Sequence, residues 1–152
     1  MIEISQQAPD FSAQDQSGNM VSLSDFTGKK LVIYFYPKDD TPGCTKEACN
    51  LKDNYNSLLK EGYSIVGISP DTVASHQKFV AKFDLPFQLL ADTDLKITKA
   101  YSAWGEKNMY GKKYEGLLRT TFIINEKGLV ESIIKKVKTD DHAAQILSKR
   151  EL

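Results

Sequence analysis

The apolar positions fall into short blocks whose spacing switches between two residues and three or four, and the switches mark the elements. Phe11 to Asp15 and Met20 to Leu23 flank Gln16-Ser17-Gly18-Asn19, a pattern that predicts a hairpin turning at Ser-Gly-Asn. Lys30 to Tyr36 is an unbroken β-branched and aromatic run, which predicts a strand covered on both faces and ended by Pro37. From Cys44 onward, Ala48, Leu51, Tyr55, Leu58 and Leu59 recur at steps of three and four, predicting one buried helix face that stops near Gly62. The alternation repeats with a strand over Tyr63 to Ile68 and a helix from Val73 to Phe83 that turns Phe79, Val80 and Phe83 inward. Next come a short strand at Phe87 to Ala91 and a short helix at Leu95 to Tyr101. A hairpin of Thr120 to Ile124 and Leu129 to Ile134 turns through Asn125-Glu126-Lys127-Gly128, and a last helix spans Asp141 to Lys149. Strand and helix alternating, then a hairpin and a terminal helix, predict an α/β sandwich: a central mixed β-sheet flanked by helices, preceded by the N-terminal β-hairpin.

Composition narrows the classes. The 152 residues, 41% hydrophobic and 26% charged, can bury one sizeable core, and without repeats or linkers they read as a single domain, residues 1–152. Twenty basic residues balance twenty acidic ones, so no overall field draws the chain to nucleic acid or to an anionic membrane. No basic leader and no run of about 18 apolar residues occurs, and the expectation is a cytoplasmic protein. A reducing cytosol keeps ordinary thiols reduced, so a disulfide between the only two cysteines is expected to be catalytic rather than structural.

The chemistry concentrates in Pro37 to Cys49, between the core strand and its helix, where α/β folds bind ligands. With Thr41 as N-cap and Pro42 at the first helical position, Cys44 falls in the first turn, where the helix dipole favours a thiolate. Taken alone, Cys44 also fits an inert core residue aligned with Ala48 and Leu51. Cys49 lies five positions on, a rise of about 7.5 Å and a rotation of roughly 140° away in a regular helix. A disulfide needs Cα atoms within about 7 Å, so bridging the pair requires local unwinding, which suits a transient bond. Zinc would lack two ligands, since His76 and His142 have no metal-site spacing, and the spacing is not the Cys-x-x-Cys of a disulfide exchanger. The glycines and lysines between Gly105 and Gly116 lack a phosphate-loop pattern and are expected to form a loop, and Lys135-Lys136-Val137-Lys138 a solvated strand end.

These residues resemble the peroxiredoxins, and within them the bacterioferritin comigratory protein or PrxQ subgroup. The resemblance runs from Ala8-Pro9-Asp10-Phe11 through Pro37 to Cys49, then Trp104-Gly105-Glu106-Lys107 and Arg119-Thr120-Thr121-Phe122, and its most specific part is the Pro-x-x-x-Thr-x-x-Cys of Pro37 to Cys44. It implies a thioredoxin-like fold and reduction of hydrogen peroxide and organic hydroperoxides with electrons from thioredoxin, by a monomer without cofactor or metal. By position it implies Cys44 as the peroxidatic cysteine, Cys49 as the resolving one, Thr41 as a hydroxyl donor to the peroxide, Pro37 as a shield over the sulfur, and Arg119 as the pocket's guanidinium. Glu47 then orients Arg119. Otherwise Arg119 is a solvated charge at a strand start and Glu47 a favourable first-turn acid. Leu51 and Lys52 depart from the Phe-Arg of that subgroup, which bears on how easily the helix unwinds. Two other readings of the cysteines stay open: a thiol-disulfide oxidoreductase and a non-enzymatic binding module.

Overall fold

A computed structural model describes residues 2–148. The chain starts with the antiparallel hairpin β1 (Ser12–Gln14) and β2 (Met20–Ser22), as the spacing predicted. Its turn is tied by Asp15, whose Oδ1 accepts the N–H groups of Ser17 and Asn19. The apolar run forms β3 (Lys30–Phe35), and it stops where predicted, because Pro37 has no N–H to continue the ladder after Tyr36 donates to Ile68 O. On its two sides β3 pairs parallel with β4 (Tyr63–Ser69) and antiparallel with β8 (Thr120–Ile124). With β5 (Gln88–Ala91) beside β4 and β9 (Val130–Ile134) beside β8, the mixed sheet has the order β5-β4-β3-β8-β9.

Between the strands run α1 (Pro42–Asp53), α2 (Tyr55–Lys60), α3 (Val73–Phe83), α4 (Lys96–Ala100) and, at the end, α5 (His142–Ser148). Alternation along β3 divides the core. Leu31, Ile33 and Phe35 face a cluster with the hairpin's Phe11, Ala13 and Val21 and α4's Ile97. Val32, Tyr34 and Tyr36 face Cys44, Ala48 and Leu51 of α1, Phe79 of α3 and Ile146 of α5. Gly67 on β4 permits this second packing, because a Cβ there would stand 2.8 Å from the Tyr34 ring and 2.7 Å from Leu89.

Three expectations need correction. The helix expected from Cys44 to Gly62 breaks at Asn54, whose side chain and backbone N–H both donate to Asn50 O, a local bond that competes with the helical ladder. Leu58 continues the buried face of Ala48 and Leu51 across the break, whereas Leu59, expected inside, is 46% exposed. The expected loop from Gly105 to Gly116 is instead a hairpin, β6 (Trp104–Met109) and β7 (Lys112–Leu117). Its turn residues Tyr110 and Gly111 both have positive φ, the geometry that matches strand twist. Among the described residues these strands pair only with each other and are largely solvated, so they carry no apolar alternation to read. Smaller shifts trim the ends: Phe87 precedes β5, Leu95 precedes α4 in a left-handed conformation, and Lys149 lies outside the described residues. Among the described residues, no helix is long and apolar enough to cross a membrane.

Candidate active site

Leaving β3, the chain crosses Pro37 to Asp40 and restarts as α1. Asp40 takes a left-handed turn at φ 57°, after which Thr41 adopts the extended N-cap conformation and Pro42 opens the helix, as the sequence predicted. Cys44 therefore sits in the first turn. It also belongs to the core cluster and is 1% exposed, so the buried-face reading and the first-turn reading both hold.

Arg119 reaches this sulfur from 75 residues away, Nη2 donating to Cys44 Sγ at 3.3 Å. Strand register brings it there: Thr120 lies opposite Phe35, so the residue before it stands at the end of β3 where the loop to α1 begins. The segment is held from the other side by Leu118, whose N–H donates to Ala103 O beyond the β6–β7 hairpin. Nη1 of the same guanidinium donates to Glu47 Oε1 at 2.6 Å. Burial alone would work against the charged guanidinium, but Glu47 and Cys44 together hold it above the ordinary arginine value.

Glu47 is fully buried. Burial outweighs Arg119 and pushes its carboxyl up to about 7. Its other oxygen, Oε2, makes no hydrogen bond among the described residues and lies 3.5 Å from His142 Nε2 on α5. His142, also fully buried, is lowered from its ordinary value by burial, with Gln145 opposing and Arg119 reinforcing the shift.

Of the expected site residues, Cys44, Arg119 and Glu47 come into contact. Thr41 stands half-buried at the helix start, but its hydroxyl donates to Lys38 O at 2.8 Å. In that orientation the lone pairs of Thr41 Oγ1 remain available as acceptors. Pro37 is half-buried at the strand's end. Cys49 is half-buried on the same unbroken helix, and both thiols are free. Burial, then Asp53, raises the Cys49 thiol. A cavity of about 690 Å³ opens beside Arg119, lined by Tyr101, Leu118, Phe122, Ile133 and Lys107 but not by Cys44.

Sequence reading missed two supports of the site, both histidines. His142 abuts Glu47, as described. His76 Nδ1 lies 2.7 Å from Asp39 Oδ2, and that carboxylate also accepts from Tyr36 and Ser75, tying the Pro37–Thr41 loop to α3. Asp71 Oδ2 accepts the Asp39 N–H and completes the tie. Asp39, Asp71 and His76 are close enough together to hold a cation. Their facing atoms are already spent on one another, on Ser69, Ser75 and Tyr36, and on Leu90 O. The sequence signal was two histidines on apolar helix faces, a pattern that does not reveal the partner.

The sequence pattern of the AhpC/TSA family matches residues 4–133. Peroxiredoxin Bcp of Bacillus subtilis is 45% identical over 146 residues, 96% of this chain and 93% of that protein. Peroxiredoxin Bcp of Escherichia coli K12 is 42% identical, over 93% of this chain and 90% of its own. The solved structure of Xanthomonas campestris bacterioferritin comigratory protein, described there for its alkyl peroxide reduction activity, superposes with a TM-score of 0.89 at 36% identity, covering 98% of each chain.

Proposed function

The chain belongs to the AhpC/TSA family of peroxiredoxins, and from that premise we propose that Cys44 is its peroxidatic cysteine and Cys49 its resolving one. The observation that carries the reading is the Arg119 guanidinium on the Cys44 sulfur, at the first turn of a helix. Both place positive charge beside the sulfur, whose reactive form is the thiolate.

The sulfur attacks the nearer oxygen of a hydroperoxide. The O–O bond breaks, Cys44 becomes the sulfenic acid, and the second oxygen leaves as an alkoxide or hydroxide that takes up a proton. Negative charge moves from sulfur to the departing oxygen, so a donor beside the sulfur lowers the barrier as far as it also reaches that oxygen, where the charge develops. Arg119 supplies that donor and Glu47 fixes its plane. Thr41 Oγ1, its hydrogen spent on Lys38 O, accepts the peroxide O–H, and Pro37 shields the sulfur. The apolar cavity beside Arg119 suits the carbon chain of an organic hydroperoxide.

Resolution then requires opening. The thiols lie five positions apart on an intact helix, so the start of α1 unwinds before Cys49 condenses with the sulfenic acid, forming the disulfide and releasing water. A thioredoxin-type dithiol then reduces the bridge by exchange and restores both thiols.

The test is intact mass after one equivalent of hydrogen peroxide, with and without thiol alkylation. Wild type should lose both thiols quickly, Cys49→Ser should stop at a trappable sulfenic acid, and Cys44→Ser should resist oxidation. Equal oxidation rates in Cys44→Ser and wild type would end the proposal.

A further inference from the structure

The hydrogen bonds around His142 fix which of its nitrogens carries the hydrogen. Gln145 Oε1 accepts the Lys138 N–H at 2.8 Å, and Gln145 Nε2 donates to Lys136 O at 2.9 Å, so the amide can point only one way. His142 Nδ1, 2.8 Å from that same Oε1, faces an acceptor and must bear a hydrogen. In the neutral ring, Nε2 is then a lone pair, accepting from Thr121 Oγ1 at 2.8 Å. Glu47 Oε2 lies 3.5 Å from this nitrogen, which has no hydrogen to give it, and has no other donor among the described residues. A bare carboxylate oxygen in so buried a place is costly, and a proton on Oε2 removes that cost.

We propose that His142 is a positioning residue for the peroxide reaction, acting through Glu47: with its hydrogen on Nδ1 it gives Oε2 no donor, so Oε2 holds a proton, and that proton sets how much of the Arg119 charge remains for the sulfur and the departing oxygen. The inference rests on reading Cys44 as the nucleophile. With the proton in place the pair is neutral, and Oε1 remains a dipolar acceptor that orients Arg119. Without it Glu47 is a full anion, which draws the guanidinium's charge away from Cys44.

The groups facing the pair are few. From β3 comes the Tyr34 hydroxyl, which is buried without a partner among the described residues and kept neutral by burial first and Glu47 next. From α1 comes Cys44, from β8 come Arg119 and Thr121, and around α5 stand Gln145, Lys138 and the exposed Asp140 and Asp141. Glu47 is the carboxyl in this set that burial raises, and its value of about 7 places loss of the proton on Oε2 near neutral pH.

The test is the second-order rate of Cys44 oxidation by hydrogen peroxide as a function of pH. In wild type the rate should fall on the order of tenfold as pH rises past about 7, the size of a weakened rather than deleted donor. In His142→Gln the amide donates to Oε2 and favours the carboxylate, so the fall should move to lower pH. In Glu47→Gln, which cannot lose the proton, the fall should vanish. A wild-type profile without the fall, or one unmoved in His142→Gln, overturns the proposal. Failure of Cys44 to react at any pH would instead sink the peroxidase reading. Should His142→Gln not fold, imidazole nitrogen NMR of the wild type decides, since the chain has two histidines. The neutral His142 ring must carry its hydrogen on Nδ1, and a hydrogen on Nε2 refutes the idea.

Discussion

Gly43 occupies the second position of α1, one residue before the reactive sulfur, and its conformation is one an alanine can adopt. A Cβ added there would lie 3.3 Å from Arg119 Nη2, the nitrogen that donates to Cys44. Gly43→Ala should therefore act in opposite directions on stability and on rate. Replacing glycine in a helix gains up to about 1 kcal/mol, worth roughly 3 °C in a chain of this length. The guanidinium cannot retreat freely, since Nη1 is held by Glu47 at 2.6 Å, so Nη2 must shift by a few tenths of an ångström away from the sulfur. Deleting such a donor costs about 10²–10³ in rate, and displacing it should cost roughly tenfold. Stopped-flow oxidation of the reduced protein by hydrogen peroxide, beside a thermal melt, measures both quantities. An unchanged rate refutes the claim that Nη2 placement limits the reaction. A fall in both rate and melting temperature refutes the packing argument.

Further expectations follow from the same geometry. Asn50 latches α1 to α5, donating to Asp140 O at 3.0 Å and accepting the Ala143 N–H at 2.8 Å. Asn50→Ala loses about 2 kcal/mol in those bonds and regains about 0.6 in helix propensity, so the helix should open roughly tenfold more readily; mass spectrometry under excess peroxide should then find less sulfinic acid, and equal or greater amounts would contradict the latch. Glu47, with its carboxyl raised from 4.5 to about 7, contributes stability that is complete below pH 4.5 and lost as pH rises through about 7. The lowered His142 has the opposite sign, its contribution being complete above pH 6.5 and lost as pH falls from there through its lowered value. Glu47→Gln removes the first effect and should gain a few kcal/mol relative to wild type between pH 5 and pH 8 in urea melts, while an unchanged difference would place the carboxyl in water. Tyr34→Phe removes a buried hydroxyl without a partner among the described residues and should raise stability by about 1 kcal/mol, a claim that a lower urea midpoint would defeat.

How much of this was legible beforehand depends on the distance over which each feature is decided. The β3 run, the Pro37 stop, the Thr41-Pro42 helix start and the first-turn position of Cys44 are local matters of sterics and capping, and a few consecutive residues settle them. The β6–β7 hairpin and the Asn54 break were misread, because a solvated ribbon has no apolar period and a single side-chain bond leaves the helical spacing intact on either side. Arg119 could be proposed from resemblance alone, since nothing near it in sequence says what it touches.

The sequence by itself determined that a cysteine would begin a helix beyond a core strand, with a second thiol one and a half turns away. Only tertiary structure decided what surrounds the first sulfur. Register between β3 and β8 carried Arg119 across 75 residues, and packing of α5 on α1 sealed Glu47 beside His142. Capping and periodicity act between neighbours in the chain, whereas charge, burial and proton affinity depend on whatever the fold brings within a few ångströms.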